Sequence, residues 1–115
     1  MDYLTLIFGL AAFLAACLLD INSSTEMTRY GIKETVPLVS DGKGNFSLWR
    51  SLIFVIVPPV LVLIVFFTAK DVDGFDRVWA GIFLLPGAAL HLFAWWHNRR
   101  LIRKVKNGLN PGGII

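Results

Sequence analysis

Three apolar blocks, set apart by two polar stretches, leave few folds open to this sequence. Two of the blocks carry no charged side chain over about 18 residues, the length a helix needs to cross a bilayer. A soluble domain of 115 residues has no interior in which to hide three such blocks. Hydrophobic residues make up 56% of the chain and charged ones only 17%, which excludes a soluble enzyme domain, a disordered tail and a disulfide-stapled scaffold. The one cysteine, Cys17, has no internal partner and sits in an apolar run, where a thiol serves as a small hydrophobe. In lipid a spanning backbone must satisfy its own hydrogen bonds, so the blocks read as helices even where Val, Ile and Phe dominate. The expected fold is an all-α integral membrane protein with three transmembrane helices in a single domain.

The spans are expected at residues 3–21, 52–69 and 78–98. Span one is preceded by Asp2 rather than a positive n-region, and no small-residue cleavage pattern follows it. It therefore reads as a retained helix, not a signal peptide. Gly9, Ala12 and Ala16 give span one a side suited to close helix packing, and Gly87 does the same for span three. Pro58 and Pro59 remove two amide donors from span two and Pro86 removes one from span three, so kinks are expected at both places. Trp79 marks one membrane interface, and Trp95 with Trp96 the other. Between the spans lie an inner loop, residues 22–51, and a short acidic outer loop, residues 70–77, whose Asp76 is placed to cap span three. Ser23-Ser24-Thr25-Glu26 has the pattern of a capping box. Span one is accordingly expected to break near Asn22, and a short surface helix ending at Gly31 should follow.

A basic tail, residues 99–115, follows span three. Arg99, Arg100, Arg103, Lys104 and Lys106 are placed for the headgroups of anionic lipid, at about 1 kcal/mol each near the surface. Asn107-Gly108 and residues 110–113 should end any helix there. With the amino terminus outside, those five cations and Arg29, Lys33, Lys43 and Arg50 lie on the inner side, against Lys70 and Arg77 outside. The opposite orientation inverts that nine-to-two ratio. The expected placement is a bacterial inner membrane, with the N-terminus outside and the C-terminus cytoplasmic. The net charge of +3 thus serves topology; the tail has no aromatic interleaving, and nucleic acid is not an expected partner.

Two polar residues stand out. Asp20 lies at the edge of span one and reads as a carboxylate at a helix end, solvated among headgroups. Were the helix to continue, Cys17, Asp20, Ser24 and Thr28 would line one face. His91 lies about 12 Å inside the basic boundary at Arg99. An imidazole at that depth needs a partner, either a hydrogen-bonding group on a neighbouring helix or, in a proton relay, a carboxylate such as Asp20. His91 and His97 point about 120° apart and make a poor metal pair. Residues 71–76 look like a fragment of a calcium loop without its remaining ligands, and read as a capped turn. The sequence has no Ser/His/Asp set, phosphate-cradling glycine loop or zinc-ligand spacing, so it reads as a non-enzyme.

Two resemblances add to this reading. The segment Gly87-Ala88-Ala89-Leu90-His91-Leu92-Phe93-Ala94-Trp95-Trp96 resembles the His-and-Trp helices of purple-bacterial antenna peptides. That resemblance implies a tetrapyrrole, bacteriochlorophyll or haem, on His91, with Gly87 leaving room for the macrocycle; otherwise no cofactor is expected. Asp20, Thr25, Gly31 and Glu34, then Pro37, resemble the Asp…Thr…Gly-x-x-Glu…Pro pattern of small uncharacterised three-helix prokaryotic membrane proteins, which have no assigned activity. The expected function is a small non-catalytic subunit that packs against other transmembrane helices in a larger complex. Its partners would be the lipid bilayer and other membrane subunits or further copies of itself. The alternatives are a holin-like permeabilising protein, or a cofactor- or proton-handling subunit using His91 and Asp20.

Overall fold

In the computed structural model, which describes residues 2–34, 37–69, 72, 74 and 76–108, regular structure is helical apart from one isolated β-bridge between Ser40 and Phe46. Helix α1 is Asp2–Arg29, α2 is Leu48–Thr68, α3 is Val78–Ile82 and α4 is Leu84–Lys106, and a single 3-10 turn occupies Pro37–Val39. Three helical stretches are long and apolar enough to cross a membrane: α1, α2, and α3 with α4 run together. These are the elements of an integral membrane protein.

Helix α1 does not break near Asn22. Its 28 residues make a rod of about 42 Å, longer than the ~30 Å hydrocarbon core. A capping serine needs extended backbone and a hydroxyl that accepts from an amide ahead of it. Here the hydroxyls bond backwards instead. Ser23 Oγ donates to the Asp20 carbonyl at 2.9 Å, Thr25 Oγ1 to Ile21 at 2.9 Å and Thr28 Oγ1 to Ser24 at 3.2 Å. Ser23 and Ser24 are both buried. The helix ends at Gly31, whose φ of 72° suits only glycine without strain. The Ile32 amide donates to the Met27 carbonyl at 3.0 Å and the Gly31 amide to Thr28 at 3.1 Å, while Met27 and Ile32 bury each other.

Helices α1 and α4 run parallel. Leu6 clusters with Ala80 at one end, Phe13 and Ala16 with Leu84 and Ala88 in the middle, and Met27 with Leu101 and Ile102 at the other end. The inward positions on α1 alternate steps of three and four: Leu6, Gly9, Phe13, Ala16, Asp20, Ser23, Met27. On α4 the matching row is Leu84, Ala88, His91, Trp95, Asn98, Ile102. This three-and-four spacing is that of a coiled-coil seam, with the polar residues toward the Met27 end. Toward the Leu6 end the backbones touch. A Cβ added to Gly9 would strike the Gly81 carbonyl oxygen, and one on Gly81 would strike that of Thr5.

Helix α2 continues through Pro58 and Pro59 and buries Phe66 against Leu6 and Ala80. Its start is capped by Ser47, whose hydroxyl accepts from the Arg50 amide. The third span is interrupted at Phe83, three residues before Pro86. Pro86 cannot donate to the carbonyl four residues back, at Ile82, so the helix restarts with Pro86 in its first turn, where an amide is dispensable. Near the start of α1 the Arg77 guanidinium lies 4.0 Å from the Phe66 ring centroid and 5.5 Å from that of Tyr3. Asp76 Oδ1 accepts from the Val78 amide at 3.0 Å. Residues 71, 73 and 75 of the 71–76 turn and all of residues 110–113 lie outside the described residues. Gly108, at φ 78°, follows the last turn of α4.

Candidate functional site

The polar half of the α1–α4 seam is a connected cluster. His91 Nδ1 lies 2.6 Å from Asp20 Oδ2, across 71 residues of sequence. Both side chains are mostly covered, at 23% and 19% exposure. The other carboxylate oxygen, Oδ1, accepts from Ser24 Oγ at 3.4 Å and from Asn98 Nδ2 at 3.5 Å. Asn98, about two turns along α4 from His91, is buried and also donates to Ser23 Oγ and Ser24 Oγ at 3.0 Å each. The unbroken α1 makes this possible, because it carries Asp20, Ser23 and Ser24 onto one face opposite α4. Phe13 packs on the side of the cluster toward the start of α1, its ring perpendicular to that of His91 at 5.6 Å between centroids. Cys17 is fully buried next to it.

Asp20 is therefore not at a helix end. It is a mid-helix group with its charge directed at α4. It sits at one wall of a cavity of about 220 Å³, lined also by Glu34, His91, His97, Asn98 and Ser51. Glu34 arrives from the loop after α1, which folds back so that the Glu34 amide donates to the Gly44 carbonyl at 2.7 Å. In that loop Asp41 accepts from the amides of Lys43 and Asn45 at 2.8 and 3.2 Å. These bonds, Lys43 foremost, hold its carboxyl below the usual carboxylate range.

The residues singled out in the sequence fall into distinct places. Gly9 and Ala16 are buried in the α1 seam and Ala12 is half-buried beside it. Gly87 faces Phe13, and a Cβ there would come within 2.9 Å of the Phe13 ring. The space beside Gly87 is thus filled by an aromatic side chain. Asp20 engages Nδ1 of His91, and the room beside Gly87 that the resemblance assigns to a macrocycle is taken by Phe13. Arg99 pairs with Glu26 at 2.5 Å, Lys106 approaches Glu26 at 3.8 Å, and Arg100 stacks on Trp96 at 4.8 Å. Arg103 is exposed and Lys104 half-buried on the last turns of α4. The five cations thus lie on a helix docked against the end of α1. Of the Asp…Thr…Gly-x-x-Glu pattern, Asp20 and Glu34 meet at the cavity, Gly31 makes the helix end between them, and Thr25 faces outward. No group of three or more metal-binding side chains occurs among the described residues.

Sequence reasoning missed Asn98, Ser23, Phe13 and Gly81 as parts of this arrangement. The three-and-four spacing of the α1 row was the available signal. Comparison with known proteins finds no family, no curated protein and no solved structure that matches this chain.

Proposed function

We propose that this chain is a small, non-catalytic membrane subunit that handles protons at the Asp20–His91 couple, in the company of other transmembrane helices. The observation that carries this reading is the 2.6 Å contact between Asp20 Oδ2 and His91 Nδ1 at the wall of a cavity. Ionisable side chains inside a spanning bundle are expensive, and where they occur they pair and mark proton or ion pathways. A carboxylate and an imidazole in contact share a proton between two groups of different basicity. Glu34 and His97 on the same cavity, and Cys17 beside the ring, are the other titratable neighbours. The bilayer placement belongs to the proposal too: amino terminus outside, basic end cytosolic, in a bacterial inner membrane, with bends at Pro58–Pro59 and Pro86. It is supported by the nine-to-two division of Lys and Arg.

The test is infrared difference spectroscopy on the whole chain in lipid nanodiscs, scanned from about pH 4 to about pH 10. A carboxyl band that vanishes in Asp20→Asn, accompanied by imidazole bands that vanish in His91→Phe, is the expected result. A couple that stays silent over that range removes proton handling and leaves only a packing role.

A further inference from the structure

The polar side chains around the cavity are committed to one another, with one exception. Asp20 is paired with His91 at 2.6 Å. Ser24 donates to Asp20 and accepts from Asn98. Ser51 is buried and donates to the Leu48 carbonyl at 2.7 Å. Glu34 is not without a partner either. The exception is His97, whose imidazole lines the cavity and enters none of the described hydrogen bonds. A cation therefore finds no vacant counter-ion here, and an anion meets two carboxylates. A bare metal ion finds no three-ligand group among the described residues. Such a lining admits a neutral guest that can hydrogen-bond at His97.

Most of the wall is apolar, and much of it is flat. Phe46 comes from the loop between α1 and α2, Phe54 from α2 and Phe93 from α4. Together with the two imidazoles these rings offer stacked and edge-on contacts to a guest that is itself a ring. The volume of about 220 Å³ suits one substituted ring, since an apolar cavity of about 150 Å³ already holds benzene. On its Asp20–His91 side the cavity meets a shallow apolar groove of about 240 Å³, formed with Leu38, Val39, Leu90 and Ala94. Leu38 and Leu90 are 64% and 71% exposed, so the groove leads to the surface of the bundle. His97 does not line the groove. A guest whose polar group is at His97 therefore sends an alkyl chain out from its opposite end. A hydroxyl suits the polar end, because it and a neutral imidazole are each both donor and acceptor. A guest without one would strip water from His97 and return no bond.

We propose that this cavity binds a neutral lipid with a phenolic head, the ring among Phe46, Phe54 and Phe93, the hydroxyl at His97 and the alkyl chain leaving past Leu90 and Ala94. The proposal rests on the cavity described under Proposed function and adds a ligand to it, without drawing on the proton chemistry of the couple. The experiment is calorimetric titration of the full chain in zwitterionic nanodiscs with para-hexylphenol, hexylbenzene and para-hexylcyclohexanol, with empty nanodiscs subtracted. The expected result is one saturable hexylphenol site per chain, about tenfold tighter than either control, which lack the hydroxyl and the flat ring respectively. Nitrogen NMR of labelled histidine should show the His97 ring shifting as the site fills. His97→Phe should bring hexylphenol down to the level of hexylbenzene, and Ala94→Phe, which fills the groove, should remove the advantage of hexylphenol over phenol itself. Helical content by circular dichroism checks that each variant folds, and the ligand series on the unaltered chain decides the question without them. Equal binding of hexylphenol and hexylbenzene, a preference for hexylcyclohexanol, or no saturable binding above empty discs overturns the proposal. The infrared signature of the couple is read without ligand, so a failure of phenol binding leaves proton handling standing, and a silent couple leaves the phenol site standing.

Discussion

Replacing Asp20 and His91 by alanine, singly and together, measures what the couple contributes to joining α1 and α4. Three donors reach the Asp20 carboxylate: His91 at 2.6 Å, Ser24 at 3.4 Å and Asn98 at 3.5 Å. The two long contacts are weak, and the short one carries most of the energy. Hydrogen bonds between spanning helices average about 0.6 kcal/mol in double-mutant cycles, with a maximum near 1.7. A short, charge-assisted contact between side chains only 19% and 23% exposed belongs at the top of that range, so we expect a coupling of about 1.5 kcal/mol. The single substitutions will not be equal. His91→Ala leaves a covered carboxylate without its main donor and should cost about 2–3 kcal/mol. Asp20→Ala removes the charge along with the contact, so the relief of desolvation offsets part of the loss and it should cost less. The assay is reversible unfolding in mixed micelles, followed by the fluorescence of the four tryptophans. A coupling below about 0.5 kcal/mol would refute the reasoning, because the apolar clusters alone would then hold α1 to α4.

Other consequences are as direct. Gly9→Leu and Gly81→Val drive a side chain into the backbone of the opposing helix, and each should destabilise by about 1–3 kcal/mol in the same unfolding assay. In a Cys17→Ser background, a maleimide reagent that cannot cross membranes should label Arg103→Cys in inverted vesicles and fail to label it in intact cells. Carbon-detected NMR should place the Asp41 titration midpoint below the ordinary 3.8, because the Lys43 and Asn45 amides favour the charged form. Since the folded value is depressed, the loop's stabilisation is present above the ordinary carboxylate value and lost as pH falls through the lowered one; Asp41→Asn removes that dependence.

Much of the fold was legible because the solvent decides it. Apolar blocks of spanning length dictate helices whatever their local propensities. What misled was a local pattern read without its tertiary setting. Ser23-Ser24-Thr25-Glu26 satisfies the rule for a helix start, but a hydroxyl can equally bond back to the preceding turn. Asn98 decides between them, because its amide needs acceptors on α1 and finds both serines. Its role was masked by its neighbour Arg99, which draws the eye to the headgroup region. The steps from Leu6 through Phe13 and Asp20 to Met27 were on view throughout, and they set Asp20 in a helix seam rather than at a helix end. Gly87 reads in the sequence as room beside His91, but which group fills a gap is a question of packing. Phe13 takes it from another helix, and no rule applied to α4 alone can foresee that. The break at Phe83 likewise follows from Pro86 only once the carbonyl that the proline abandons has been located.

The parallel pairing of α1 with α4 also imposes a timetable on synthesis. Asp20 leaves the ribosome 71 residues before His91, which at about 5–20 residues per second is a wait of about 4–14 s. Throughout that interval the nascent chain holds an acid in α1 with neither its imidazole nor its amide yet made. Helix α2, the next to arrive, brings no donor to Asp20 among the described contacts. The first two helices are therefore an unfinished hairpin. Helix α4, made after them, completes the pairing by slotting in alongside a helix made long before.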